Sequence, residues 1–173
     1  PFYIFYSMFG FQRIGDFIWA AGDMQAKGFL LGATAGRTTL AGEGLQHQDG
    51  TSQLAASTIP TCRAYDPCFK HELVVIVQDG MKRMMTEQRD EYFYLTLMNE
   101  NYTHPDMPEG AAPGILKGMY LFKDAGKAKK GELRVQLLGS GTILREAIAA
   151  AELLDKDFGI SSDIWSCPSF TEL

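Results

Sequence analysis

A glycine-rich stretch at residues 36–50 carries the side chains best suited to chemistry in this sequence. It reads GRTTLAGEGLQHQDG, in which four glycines surround an acid, Glu43, and an imidazole, His47. Glycine lets a backbone approach a ligand closely, and an imidazole can orient a substrate or move a proton near neutral pH. The spacing alone leaves two interpretations open: an ordinary ordered loop, or a loop whose histidine acts on a substrate.

Four aromatic residues near the start recur at helical spacing: Phe2, Phe5, Tyr6 and Phe9. The i, i+3, i+4, i+7 pattern is typical of a helix that buries one face, and we predict that this helix continues raggedly to Gly22. Such a stripe is usually part of a core. Aromatic faces can also stack on a planar cofactor ring, and a buried Tyr6 hydroxyl needs a hydrogen-bond partner.

Two further histidines and one glycine turn are weaker candidates. We predict that His71 is a partly exposed helix residue, whereas His104 could line a crevice next to Pro105. The turn at residues 139–141, GSG, leads from a strand into a helix, where amides can receive an anion. Because Leu144 takes the last glycine position of the G-x-G-x-x-G fingerprint, we interpret it as a tight turn.

The elements that must position these residues alternate between helix and strand. Apolar, aromatic and β-branched runs predict strands at residues 29–34, 57–61 and 92–98. Asp66 as N-cap and Pro67 at the first helical position predict a helix that runs to about Thr86. This alternation predicts a parallel α/β layer architecture.

Prolines and glycines break every pattern at residues 102–118, which we interpret as a domain boundary or linker. Beyond it we predict two strands around a Gly/Lys hairpin, a helix that stops at Gly159, and a final strand. Their expected positions are residues 118–123, 133–138, 142–158 and 164–167. The second half therefore looks like the start of another α/β domain.

The composition excludes several classes of protein. The 173 residues are 46% apolar and 21% charged, which argues against long disorder, collagen and a coiled coil. A net charge of −5 disfavours nucleic acid as the main partner, and no run approaches the ~20 apolar residues of a membrane span. Three cysteines without a C-x-x-C pair fit buried free thiols in a reducing compartment: Cys62, Cys68 and Cys167.

Several motifs together resemble the homodimeric type of pyruvate dehydrogenase, the thiamine diphosphate-dependent first component of the pyruvate dehydrogenase complex. They are FYIFYSMFGFQR at residues 2–13, the 36–50 stretch, WAAGD at 19–23, NENY at 99–102, MPEGA at 107–111, QLLGSG at 136–141 and SFTEL at 169–173. The resemblance covers essentially the whole chain. It implies an internal piece of a longer polypeptide, which would be inactive by itself.

The fold implied by the resemblance is α/β and transketolase-like, with parts of two α/β domains. Residues 1–107 would be the later part of the middle, pyrimidine-binding domain. Residues 108–173 would be the linker and the start of the C-terminal domain. The reaction implied is oxidative decarboxylation of pyruvate, followed by reductive acetylation of a lipoyl group.

Site residues are carried over by the resemblance only where they match. Phe9 matches the aromatic residue that stacks on the aminopyrimidine ring of the cofactor. Tyr6 and His47 match residues that reach the bound pyruvate adduct, and Glu43 lies in the same stretch as His47. The ligands of Mg²⁺ and of the diphosphate would lie outside this segment, as would the glutamate that activates the aminopyrimidine.

The partners implied are a second subunit, in a homodimer, and the lipoyl-bearing dihydrolipoyl acetyltransferase of a cytoplasmic complex.

The sequence departs from the family pattern at QDGTSQ, residues 48–53, where family members usually have an acid first and histidines after the glycine. Ala41 also replaces an asparagine that is usual in the family. Two alternatives stay open. One is transketolase-like ketol transfer between sugar phosphates, and the other is a non-catalytic packing or dimerisation segment.

Overall fold

A computed structural model describes residues 2–5, 10–33, 49–98, 100–126 and 132–173 of the chain. The strands are β1 (Phe2–Phe5), β2 (Phe29–Gly32), β3 (Cys62–Tyr65), β4 (Tyr92–Thr96), β5 (Tyr120–Lys123), β6 (Arg134–Gly139) and β7 (Ser161–Ser166). The helices are α1 (Gly10–Arg13), α2 (Gly15–Asp23), α3 (Ser52–Ser57), α4 (Lys70–Met81), α5 (Ala112–Leu116) and α6 (Ile143–Phe158). A π-helical turn, Lys82–Thr86, extends α4.

The first sheet contains β1 to β4 in the order β1-β2-β4-β3, with every neighbouring pair parallel. Parallel neighbours need crossover connections, which is why helices separate these strands along the chain. All five residues of β4 are buried, as expected for a strand covered on both faces. The predicted α/β architecture is confirmed.

Helices cover both faces of this sheet. On one face, helices α1 to α3 pack on alternate strand residues; the cluster includes Phe11, Ile18, Ala56, Ala64, Tyr92 and Tyr94. On the other face, α4 and the π-helical turn pack on the remaining strand residues, which alternate along each strand with those of the first face. This cluster includes Phe29, Ile76, Met84, Phe93 and Leu95. None of the helices described here is long and apolar enough to cross a bilayer.

The helix predicted from the aromatic spacing of residues 2–9 is wrong for its first part. These residues begin with β1, in which Phe2 pairs with Phe29 of β2, and the two rings stack with centroids 5.1 Å apart. Aromatic residues also favour strands, and the hydrogen bonds to β2 outweigh the helical spacing. The first helix among the described residues is α1, from Gly10.

Two of the three strands predicted in the first half are confirmed, as β2 and β4. The strand predicted at residues 57–61 is wrong, because α3 ends at Ser57 and β3 begins at Cys62. A turn separates the two elements, and in it the Cys62 N–H donates to the Ile59 carbonyl at 3.0 Å.

Helix α4 begins later than predicted. Asp66 is not its N-cap; the helix begins at Lys70, and the N-cap position belongs to Phe69. The carboxylate of Glu72 accepts the Phe69 N–H and so takes over the capping role predicted for Asp66. The predicted end at Thr86 is confirmed.

The second sheet has the order β5-β7-β6, so the predicted hairpin between β5 and β6 is wrong. Strand β7 lies between them, antiparallel to β5 and parallel to β6. The Asp163 carboxylate of β7 accepts hydrogen bonds from Arg134 and Gln136 of β6, and the Ala125 N–H donates to it at 2.9 Å. Helix α6 is confirmed, with Gly159 in the left-handed conformation at φ 65°.

Candidate functional site

The carboxyl ends of the four strands of the first sheet lie along one edge, which is the candidate functional site. Phe5 at the end of β1 pairs with Gly32 at the end of β2, and Gly32 pairs with Thr96 at the end of β4. Strand β3 ends at Tyr65, opposite Leu95 of β4. Ligands of open parallel α/β sheets bind outside the carboxyl ends of the strands. A ligand of this chain is therefore expected at this edge.

The four residues with a predicted role lie outside the described part of the chain: Tyr6, Phe9, Glu43 and His47. The residues next to them along the chain are described. Tyr6 directly follows Phe5, and residues 34–48 begin two residues after Gly32 and end just before Asp49. Since Phe5 and Gly32 are paired, the chain leaves β1 and β2 at neighbouring points of the carboxyl edge.

Asp49 is the first described residue after the glycine-rich stretch, and it is buried. Its Oδ1 accepts the N–H groups of Thr51 at 3.2 Å and Ser52 at 3.0 Å, and its Oδ2 accepts the Ser52 hydroxyl. The side-chain amide of Gln12 donates to Thr51 Oγ1 at 2.9 Å and lies 3.5 Å from Asp49 Oδ1. The start of α3 is thereby tied to α1, the helix that follows residues 6–9.

Asp66 follows β3 and lies where the two sheets meet. Its carboxylate accepts hydrogen bonds from the Thr96 hydroxyl and, at 3.1 Å, from the Ser140 hydroxyl. Its backbone carbonyl accepts the Gly141 N–H at 2.9 Å, and its own N–H donates to the Pro168 carbonyl at 2.6 Å. The ends of β3 and β4 and the turn after β6 therefore share one junction.

A cavity of about 290 Å³ opens at this junction. Its wall combines polar residues, among them Gln53, Asp66 and Ser140, with apolar residues, among them Leu138, Ile143 and Phe170. The carboxylate of Asp66 makes this cavity unsuited to an anionic ligand. The turn at residues 139–141 is a tight turn, as predicted, with Gly141 at φ 52°.

Glu72 is a fully buried acid that the sequence analysis missed. Its Oε2 accepts the N–H groups of Cys68 at 2.5 Å and Phe69 at 3.0 Å, and its Oε1 accepts the hydroxyls of Tyr120 and Ser166. Tyr120 and Ser166 belong to β5 and β7, so this carboxylate fastens the start of α4 to the second sheet. Glu72 lies beyond the first turn of the predicted helix and falls in the first turn only of the observed α4, so the predicted start hid its capping role.

His71 belongs to the same buried cluster, so the prediction of a partly exposed residue is wrong. Its Nε2 lies 2.9 Å from the Tyr120 hydroxyl oxygen, and its Nδ1 lies 3.3 Å from the Pro105 carbonyl. Burial first, and then the charge of Glu72, raise the pKa of Tyr120, so its hydroxyl stays protonated and donates. The polar atoms of the cluster satisfy one another, which fits a structural link between the sheets.

His104 lies beside a crevice, as predicted. It lines a cavity of about 240 Å³ together with Phe69 and Tyr102. Its Nδ1 accepts the Lys70 N–H at 3.1 Å, and its ring contacts the Tyr102 ring with centroids 4.7 Å apart. These contacts hold residues 102–104 on the start of α4.

The three cysteines are free and buried, as predicted. Burial raises the pKa of the Cys62 and Cys68 thiols to about 12, and it also raises the pKa of Cys167. These thiols are therefore poor nucleophiles and poor metal ligands. Within the described ranges, no group of three or more His, Cys, Asp or Glu side chains could hold a metal ion.

Comparison with known families gives two matches along the chain. Residues 1–105 match the family described as pyruvate dehydrogenase E1 component middle domain, and residues 118–173 match the family described as transketolase-like TK C-terminal domain. Curated relatives carry the name pyruvate dehydrogenase E1 component. Those from Cupriavidus necator and Pseudomonas aeruginosa are each 64% identical over 173 residues, and that of Escherichia coli K12 is 58% identical over 174. The matches cover the whole chain but only 19% of the length of each relative.

Solved transketolase structures share the fold. A transketolase variant from Pichia stipitis superposes with a TM-score of 0.75 at 14% identity, covering 99% of this chain and 23% of the other. The transketolase from Leishmania mexicana gives a TM-score of 0.74 at 17% identity, with the same two coverages. At these identities the likeness concerns the fold alone, and it confirms the predicted transketolase-like α/β fold.

Proposed function

Because the chain belongs to the pyruvate dehydrogenase E1 component family, we propose that the complete enzyme decarboxylates pyruvate oxidatively. In this proposal the two-carbon unit passes to the lipoyl group of a dihydrolipoyl acetyltransferase, which is reductively acetylated. The 173 residues correspond to about a fifth of such an enzyme, so this activity belongs to the complete protein.

The parallel pairing of Phe5 with Gly32 is the observation that carries the proposal. It supports a site at the carboxyl edge, because the two stretches with Tyr6 and His47 leave the sheet from these neighbouring strand ends. A site built from both stretches needs such an arrangement, since the stretches are separated by two helices and a strand along the chain.

Thiamine diphosphate, when bound, supplies the electron sink that decarboxylation of a 2-oxo acid requires. We assign Phe9 and Tyr6 to its aminopyrimidine ring, where an aromatic side chain can stack on the planar heterocycle. The described residues directly after β2, β3 and β4 are Ala33, Asp66 and Leu97, so none of them brings a positive charge. This edge suits the uncharged ring, and we assign Mg²⁺ and the diphosphate to residues outside the segment.

Tyr6 and His47 act on the substrate in this proposal. A phenol and an imidazole can hydrogen-bond the carboxylate and the keto oxygen of pyruvate, fix its orientation and move a proton at that oxygen. Glu43 is proposed as a third catalytic residue because it lies in the same glycine-rich stretch as His47.

The proposed assembly is a cytoplasmic homodimer within the pyruvate dehydrogenase complex. We place the later part of the pyrimidine-binding domain at residues 1–107, and the linker with the start of the C-terminal domain at residues 108–173. The reduced, buried cysteines support a reducing compartment.

Substrate selection tests the proposed reaction. The complete enzyme, supplied with thiamine diphosphate and Mg²⁺, would be offered pyruvate and then xylulose 5-phosphate, with reduction of an artificial electron acceptor as the readout. We expect turnover with pyruvate alone. Turnover with the sugar phosphate alone would refute the proposal in favour of ketol transfer.

A further inference from the structure

The buried cluster of His71, Glu72, Tyr120 and Ser166 joins helix α4 to the second sheet. His71 is 8% exposed, and Glu72 is fully buried. The carboxyl group of Glu72 accepts two backbone N–H groups and the hydroxyls of Tyr120 and Ser166. All four contacts use Glu72 as an acceptor, which is the role of an ionised carboxylate.

The single proton of the Tyr120 hydroxyl determines what His71 has to donate. Tyr120 gives this proton to Glu72 Oε1 at 2.8 Å. The Nε2 atom of His71 lies 2.9 Å from the same hydroxyl oxygen, so Nε2 is the donor in that contact. Its Nδ1 atom lies 3.3 Å from the Pro105 carbonyl oxygen, which can only accept. Both ring nitrogens of His71 therefore face acceptors, and only the doubly protonated ring satisfies both.

A neutral His71 ring would lose one of these contacts in either tautomer. With the proton on Nε2, the lone pair of Nδ1 would point at the Pro105 carbonyl oxygen. With the proton on Nδ1, the Nε2 atom would compete with Glu72 for the Tyr120 proton. The doubly protonated ring also places a positive charge one phenol group away from the buried carboxylate, and buried charges are stable when they are paired.

We propose that His71 is a pH-sensitive latch between the two sheets. In its doubly protonated form it joins α4 both to Tyr120 of β5 and to the Pro105 carbonyl. Histidine side chains change charge between about pH 5 and 8. The latch is therefore complete on the acid side of this range and loses one contact as the pH rises through it. It does not depend on which reaction the complete enzyme performs.

The ionisable groups on the surrounding elements do not replace His71 in this role. Besides Glu72, they are Tyr120 of β5, Cys68 before α4, Cys167 after β7, and Lys70, His104 and Asp106 at the surface of the cluster. Burial raises the pKa of the tyrosine and of both thiols, so these three groups stay protonated over the range in which histidine titrates. His104 has the opposite response, because its Nδ1 accepts the Lys70 N–H and can do so only while that nitrogen carries no proton.

Hydrogen–deuterium exchange of the complete enzyme at about pH 6 and pH 8 tests the latch, after correction for the intrinsic pH dependence of exchange. We expect the backbone protection of β5 to fall by about 10-fold at the higher pH, because a hydrogen bond to a charged group is lost. His71→Phe keeps a ring against Phe69 but has no ring nitrogen, so its β5 protection should be low at both pH values. His104→Phe is the matched control and should keep the 10-fold difference in β5.

Deuterium exchange at the imidazole C2 position, followed by mass spectrometry, reports the protonation of His71 in the unaltered enzyme. We expect the doubly protonated ring at about pH 6. A neutral ring at this pH, which burial alone favours, would overturn the latch. Equal β5 protection of the unaltered enzyme at both pH values would also overturn it, and so would an unchanged pH difference in a folded His71→Phe enzyme. The two measurements on the unaltered enzyme are decisive even where His71→Phe does not fold.

Discussion

Three buried acids hold the residues around the candidate site in place: Asp49, Asp66 and Glu72. Each accepts hydrogen bonds from backbone or hydroxyl donors of a neighbouring element. A buried carboxylate without such donors would be costly, so these donors are as necessary as the acids themselves. From the sequence only Asp66 received a role, and it was the wrong one, because its hydroxyl donors Thr96 and Ser140 are distant along the chain.

Burial of the thiols leads to a prediction for single residues. With pKa values raised to about 12, only about one in ten thousand of the Cys62 and Cys68 side chains is a thiolate at pH 8. We expect no alkylation of either cysteine in the folded complete enzyme, as measured by mass spectrometry of its peptides after iodoacetamide treatment. Treatment in denaturant provides the control and should alkylate both. Rapid labelling of the folded protein would contradict the burial of these thiols.

At the scale of elements, the turn between β6 and α6 depends on a residue without a side chain. Gly141 adopts φ 52°, and a Cβ atom there would lie 2.5–2.6 Å from the carboxyl atoms of Asp66. The turn therefore approaches the end of β3 more closely than any other residue type allows. This close approach is what brings the two sheets together at the junction.

Substitution of this glycine should destabilise the junction. Gly141→Ala combines a left-handed backbone, at about 1–2 kcal/mol, with a steric clash of about 1–3 kcal/mol. We expect a loss of about 2–5 kcal/mol, measured as a lower midpoint of urea unfolding. Gly159→Ala is the matched control, since it also has a positive φ but open space around it, and it should lose only about 1–2 kcal/mol. Equal losses would show that the contact with Asp66 carries no strain.

Long elements with one clear periodicity could be predicted from the sequence, and short ones could not. Helix α6 and the end of α4 followed from apolar spacing and terminal signals. Strand β1 was missed because a short run of aromatic residues is compatible with both helical and strand spacing. Only its pairing with β2 decides between the two. The β5–β6 hairpin failed because β7, which comes later in the chain, takes the place between them. At the site, motif resemblance supplied the residues with chemistry, whereas the hydrogen bond from Gln12 to Thr51 is a tertiary contact that no local pattern encodes.

At the scale of the whole molecule, a charge network ties the end of the chain to the first sheet. Glu91 pairs with both Arg63 and Arg83, and Arg63 also pairs with Glu172 near the chain end. Burial alone would raise the pKa of Glu91, but hydrogen bonds from the two arginines outweigh it and lower that pKa. The charged form of Glu91 is therefore the one that stabilises the fold.

This network predicts a sensitivity to acid. Because the pKa of Glu91 is lower in the folded state, its contribution is complete above the unfolded value of about 4.3 and is lost as the pH falls through the folded value. Glu91→Gln should lower the free energy of unfolding by about 1–3 kcal/mol at pH 7. Below about pH 4 the variant should lose less additional stability than the parent, because it has no carboxylate to protonate at this position. Urea unfolding at pH 7 and below about pH 4 measures both effects. Glu87→Gln, in an exposed ion pair, is the control and should resemble the parent. An unchanged acid profile in Glu91→Gln would contradict the role of this network.

The variant His47→Ala tests the proposal that the carboxyl edge of the first sheet carries the catalytic histidine. In the complete enzyme, kcat with pyruvate and the thermal unfolding midpoint would be measured for His47→Ala and, as a control, for His104→Ala. We expect His47→Ala to lower kcat by about 100-fold or more, with an unfolding midpoint near that of the parent, and His104→Ala to keep the parent kcat. A His47→Ala enzyme that turns over pyruvate at the parent rate would show that His47 is not the catalytic histidine.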